Sequence, residues 1–283
     1  MKSQINTSIC VLTLVLALGC ATTPQEPEPA PGVALAPGMQ IGVVTTTVGG
    51  LVPRMGVDPS KPGGGMLVTV QTVEPGESIT IGWQQASEHE LTPAGPTPVT
   101  GVGTPEPTPV TEIVIEEGTI ASSGLDSAHA ALLPLYWPLA EENVTDTSLM
   151  WLSREAFEEL KGTRQTRWDA DALTMFATLP MWAVEQIDEA TAERELYLTA
   201  ESEFVDFDTS VDGRRVRFQA IHAFDDFGNE YIVLDDAENP MIVKFKFNAV
   251  STGAIGIDAG IWTLIKAVFS GYQVVEINQQ AID

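Results

Sequence analysis

The chain is poor in cysteine, histidine and cationic side chains, and each shortage closes a class of chemistry. Its 283 residues hold two cysteines, Cys10 and Cys20. Cys10 falls in an N-terminal apolar run that is expected to be removed. Cys20 is then alone and no internal disulfide forms, although exported proteins have access to them. The three histidines, His89, His129 and His222, have no second ligand at metal spacing, and there is no HExxH helix or cysteine pair. The sequence assigns no catalytic residue, no metal and no cofactor. Lys and Arg number 14 against 39 acids, and no cation stands between Lys61 and Arg154, a stretch with twelve acids. Nucleic acid is disfavoured as a partner, because phosphate binding needs clustered cations. Direct adsorption to an anionic lipid surface is disfavoured for the same reason.

What is present begins with Met1 to Cys20. One cation, Lys2, precedes an apolar run from Ile9 to Leu18, followed by Gly19 and Cys20. That run falls well short of the ~20 residues that span a bilayer, so residues 1–19 are expected to be a signal peptide. Ala17-Leu18-Gly19-Cys20 resembles the lipobox of bacterial lipoproteins, departing from it at Ala17, where that box prefers Leu. The resemblance implies cleavage before Cys20, lipidation of Cys20, and attachment to the membrane through N-terminal acyl chains. Ala21 after the cysteine implies the outer membrane by the enterobacterial sorting rule. Ordinary signal peptidase would cut at the same place and give a secreted periplasmic protein as the alternative. After cleavage the chain carries about −26 charges, a source of solubility and self-repulsion.

Residues 20–37 form a tether, with five prolines between Ala21 and Pro37, expected to be an extended, disordered stalk. From 38 to 283 the pattern predicts an α+β, β-dominated body: an antiparallel sheet or meander with a few short helices. A Thr/Pro-rich insertion at 92–111 and a sub-boundary near 200 divide it. Val-, Ile- and Thr-rich runs at 39–48, 66–73, 78–84 and 112–117 predict strands. Glu74-Pro75-Gly76-Glu77 fits a type II turn. Ser153 is placed to cap a helix, with Leu152 and Phe157 at staple positions, Ala156, Phe157 and Leu160 on its buried face, and Gly162 to end it. Further helices are predicted around 182–192 and over 258–270.

The C-terminal third is the most explicit. Asp212-Gly213 suits a two-residue hairpin turn with positive φ at both positions. Pairing outward sets Thr209 opposite Val216, Phe207 opposite Phe218 and Val205 opposite Ala220 on an apolar face. The other face sets Ser210 opposite Arg215, Asp208 opposite Arg217 and Asp206 opposite Gln219. Strands at 230–234, 241–247 and 272–278 follow. VLDDAENPMIVKFKF (233–247) with GYQVVEIN (271–278) resembles the tail of uncharacterised bacterial lipoproteins, which implies a small β-meander and no known chemistry.

Each candidate for chemistry has a structural competitor. Ser127-Ala128-His129 lacks the GxSxG elbow of a Ser/His nucleophile. Asp208-Thr209-Ser210 resembles the Asp-Thr/Ser-Gly of aspartic proteases but has serine at the glycine, and Asp126-Ser127-Ala128 departs at the same place. The register also aims Asp208 at Arg217. Asp225-Asp226 and Asp235-Asp236-Glu238 do not match a Ca²⁺ loop and are expected to be solvated turns. Arg215, Arg217, Lys244 and Lys246 are candidates for an anion-binding stripe. His222 is expected as a satisfied core or edge residue. The expected function is a non-catalytic binding or structural module of the cell envelope with an envelope protein as partner; the alternative is a carboxylate-dependent envelope hydrolase.

Overall fold

The structure is a computed structural model of the 283-residue chain. It describes residues 28–29, 32–46, 57–91, 110–134, 137, 141–170, 195–226, 228–246 and 271–279. The expected helices at 182–192 and 258–270, most of the insertion, the signal peptide and Cys20 lie outside these residues.

Among the described residues the chain is β-dominated, with one α-helix and a single 3₁₀ turn at Leu125–Ser127. The first half supplies β1 (Glu28–Pro29), β2 (Gln40–Thr45), β3 (Met66–Glu74), β4 (Ser78–Leu91), β5 (Val110–Ser123), β6 (Ala130–Leu132), β7 (Glu142–Thr145) and β8 (Thr147–Leu149). Then come α1 (Arg154–Thr163), β9 (Gln165–Arg167), β10 (Asp169–Ala170), β11 (Tyr197–Val211), β12 (Arg214–Asp225), β13 (Glu230–Leu234), β14 (Ile242–Lys246) and β15 (Gly271–Asn278). One large sheet runs β7-β5-β4-β3-β2-β15-β14-β13-β12-β11-β9, and β10-β6-β8 form a second. The large sheet takes strands from both sides of residue 200, joined where β15 pairs with β2.

The hairpin at 212–213 has the expected turn and register. Asp212 and Gly213 have φ of 47° and 75°, the mirror-image turn whose twist suits two strands. All six expected pairs are observed, from Val205 opposite Ala220 to Ser210 opposite Arg215. The sequence pattern did not predict that the sheet closes. Ser210 and Val211 pair in parallel with Glu276 and Ile277 of β15, so β11 to β15 form a ring of five strands. Thr209 Oγ1 reaches the Val274 carbonyl at 3.4 Å, and the hairpin tip is tied to β15 by Asp212 N–H donating to the Ile277 carbonyl at 2.9 Å. Phe207, Val211, Val216 and Phe218 are all buried.

An aromatic row crosses the neighbouring strands. Tyr231, Phe245 and Tyr272 are in register, with ring centroids 5.1 and 6.3 Å apart, and Trp168 meets Tyr231 edge-on at 5.9 Å. Burial drives the pKa of both tyrosine hydroxyls well upward, so they stay neutral, and each donates: Tyr231 to Asp225 and Tyr272 to the Ile242 carbonyl, both at 2.8 Å. Helix α1 begins as expected, with the Ser153 hydroxyl accepting from Ala156 N–H at 3.0 Å and Ala156, Phe157 and Leu160 buried.

Several expectations need correction. Gly162 does not end α1; the chain continues to Thr163, and Arg164 takes the left-handed cap at φ 68°. The tether boundary at 37 comes too late, since Val33 is 1% exposed in the core and Glu28–Pro29 pair with Val216–Arg217. Strand β4 runs to Leu91 and β5 starts at Val110, so the last two insertion residues are strand. Asp225 is no solvated turn residue; it is 6% exposed and accepts from Asn229 N–H, the Asn229 side chain and Tyr231.

Candidate functional site

A cleft of about 220 Å³ opens between segments that are far apart in the sequence. Its floor and walls are apolar: Leu35, Val73, Ile79, Leu125, Leu149, Trp151 and Leu152. Glu74, Asp126, Arg154 and Glu238 also line it and are exposed, which places three acids and one cation at its mouth.

Local backbone chemistry places each wall. The type II turn is closed by Glu77 N–H donating to the Glu74 carbonyl at 2.9 Å, with Gly76 at φ 76°. A Cβ at Gly76 would collide with the Asp126 carboxylate, so glycine is needed there for both its φ and its clearance. Asn239, fully buried, joins the opposite walls. Its Oδ1 accepts from the Trp151 indole at 2.7 Å, while its Nδ2 donates to the Val33 carbonyl at 2.8 Å. The floor is held by Leu152 N–H to the Pro240 carbonyl at 3.0 Å and Ile242 N–H to the Met150 carbonyl at 2.9 Å. Between those two bonds Met150 sits at φ 45°, a left-handed conformation that a bulky residue keeps only when its surroundings impose it.

The residues singled out in the sequence are not brought together. His129 Nδ1 meets the Arg167 carbonyl at 3.2 Å, and among the described residues no hydrogen bond joins Ser127 to His129. Asp208 is held by Arg217 Nε at 3.0 Å and Arg215 Nη2 at 2.6 Å. The Arg217 bond, opposed by partial burial and reinforced by Arg215, keeps its carboxyl below the usual range, so it is an ionised structural partner. His222 is a satisfied, half-buried residue. It bridges Glu201 at 3.0 Å and Glu230 at 3.1 Å, beside Lys246, which pairs with the same Glu230 at 3.1 Å. Burial alone would raise Glu230, but Lys246, His222 and Lys244 outweigh it and lower its pKa.

Three of the four cations of the basic stripe are paired, and the fourth, Lys244, acts on Glu230 only through its charge. Arg215 and Arg217 serve Asp208, and Lys246 serves Glu230. Of the acid clusters, Asp226 accepts from Tyr197 N–H at 2.9 Å, Asp235 pairs with Lys161 at 2.6 Å, and Asp236 accepts from Glu238 N–H at 3.0 Å. No group of three metal-ligating side chains occurs among the described residues. The four described tryptophans, Trp83, Trp137, Trp151 and Trp168, are all buried and offer no stacking platform.

Sequence reasoning missed the cleft. Its one local signal was the Ser153 cap next to Trp151 and Leu152, which marked that segment as ordered. Asn239, placed before Pro240 in an acidic turn, carried no sign of being buried. Comparison of the chain with protein-family models, curated proteins and solved structures gives no match.

Proposed function

We propose that this chain is a non-catalytic binding module of the cell envelope, anchored through lipid on Cys20, whose recognition site is the cleft between Leu35 and Trp151. The observation that carries the reading is an apolar cleft whose polar neighbours, Asn239 and Ser148, are already engaged in holding its walls. At about 220 Å³ it lies below the ~300–1,000 Å³ typical of drug-sized ligands, so it suits a single side chain or short alkyl group. The acids at its mouth favour a group with a cationic end. Asp58, Glu116, Asp208 and Glu230 each have a lowered pKa, and none of these four lines the cleft. General-acid chemistry calls for the opposite displacement.

Two experiments test the reading. Labelled palmitate should enter the wild type and not Cys20→Ala; equal release of both without label would remove the anchor. N-Phenyl-1-naphthylamine fluorescence should report one saturable site, weakened at least fivefold by Ala34→Trp, which fills the cleft from its exposed edge. Octylammonium should displace the probe better than octanoate. Binding unchanged by Ala34→Trp would remove the cleft from the account.

A further inference from the structure

The β4–β5 hairpin continues well past the core. Among the residues whose burial is described, the last buried ones toward its far end are Trp83 and Ile120, yet pairing runs on without a shift to Leu91 opposite Val110. That extension covers eight residue pairs, roughly 25 Å at ~3.4 Å per residue. Among the described residues, β3 accompanies β4 only to Gln85, and β7 accompanies β5 only from Ile120. A two-stranded ribbon is marginal in water without a third strand or a covering layer.

Its faces differ. Ile113 and Ile115, opposite Glu88 and Ala86, are 57% and 41% exposed. The other face carries Glu112 and Glu116. Glu116 takes bonds from Ser87 at 2.8 Å, Gln85 at 3.1 Å and His89 at 3.2 Å. Burial would raise its pKa, but these bonds outweigh that and lower it, so it is ionised. No Lys or Arg occurs anywhere from residue 62 to 153.

We propose that the outer edge of β5, from Thr111 to Thr119, docks an extended segment of a partner protein by strand addition, one that alternates cationic with β-branched apolar residues. The register specifies the pattern. Residues facing Glu112 and Glu116 gain from positive charge, and residues facing Ile113 and Ile115 gain from apolar bulk. The arrangement is symmetric about Val114, so it accepts either strand direction. A second copy of this chain is the wrong occupant. Antiparallel self-pairing about Val114 would set Glu112 against Glu116 twice, and like charges directly opposite repel. This inference rests on the ribbon and is independent of the cleft.

The probes are fluorescein-labelled heptapeptides TKVTVKT and TEVTVET, titrated into the full mature chain at low salt with anisotropy as readout. TKVTVKT should bind at least tenfold tighter, and Glu112→Lys should cut that preference to threefold or less. Only alternate N–H groups of a paired strand face its neighbour. N-Methylation of one alternate set should therefore abolish binding, and methylation of the other should leave it. Equal binding of the two methylated sets would overturn the proposal, as would no TKVTVKT binding up to millimolar concentration. A sedimenting dimer dissociated by Ile113→Lys would also overturn it, by assigning the edge to a second copy. Protected outer amides over 111–119 in the isolated monomer would assign it to this chain's own segment.

Discussion

The β11–β12 and β4–β5 hairpins are built alike and end differently. Their strands have 15 and 12 residues in one case and 14 and 14 in the other. Next to its turn β11–β12 keeps its apolar residues on one face, whereas β4–β5 sets Ile79, Ile81, Trp83 and Ile120 on one face and Ile113 and Ile115 on the opposite one. In β11–β12 the apolar face turns into a ring, because β15 returns to pair with the hairpin's own end. In β4–β5 the outer half leaves the core and keeps Ile113 and Ile115 exposed. The charged faces differ as well. Asp208 faces Arg217 across the first hairpin, whereas Glu112 and Glu116 stand on the second with no Lys or Arg near in sequence. Alternation and turn chemistry make a hairpin; a strand from elsewhere decides whether it becomes core or surface.

The largest expected effect tests the burial side of that contrast. Phe207→Ala should cost roughly 3–5 kcal/mol in denaturant unfolding, because its ring is 6% exposed inside the ring of strands. Ile113→Ala should stay within about ±0.5 kcal/mol. Comparable costs would mean that both faces are covered.

Next in size is the far end of the ring. Asp225→Ala leaves the Asn229 amide and the Tyr231 hydroxyl without their acceptor, at a cost of about 1–3 kcal/mol. An unfolding midpoint unchanged from wild type would show that the turn does not need it.

Much of the closed hairpin was legible in the sequence, and the reasons are local. Asp212-Gly213 set the turn, and the Phe207 and Phe218 face excluded a one-residue slip. The Ser153 cap likewise located α1. Closure was not legible, since it joins Ser210 to Glu276, 66 positions further on, with no pattern marking the pair. Strand β4 was under-read beyond Gln84, because QASEHE has no apolar alternation and is held by Glu116 and by pairing with β5. The cleft was hidden for a related reason: Leu35, Ile79, Trp151 and Pro240 meet only in three dimensions.

A smaller prediction concerns charge across the closed hairpin. Asp208 has a pKa below its unfolded value, so its contribution is present above about pH 4 and fades as pH falls through the folded pKa. Arg215 and Arg217 are substantially exposed, which limits each coupling to ~0.2–1 kcal/mol. Asp208→Asn should remove that share of the acid-side loss of stability. A double-mutant cycle of Asp208 with Arg217 that gave no coupling would show the pair to be incidental. The smallest effect should be Ile115→Thr, near neutral for stability but weakening TKVTVKT at least threefold; undiminished binding would separate the exposed isoleucines from docking.

The central claim, one hairpin closed by its own chain and the other open, is tested most directly by native-state hydrogen exchange on the isolated protein. Amides of 205–211 and 216–220 that face a paired strand should exchange only through global unfolding, with protection that follows the denaturant-measured stability. The outward-facing amides of 111–119 should exchange with little protection and gain it when TKVTVKT is added. Equal protection of the two hairpins in the absence of peptide would contradict the account.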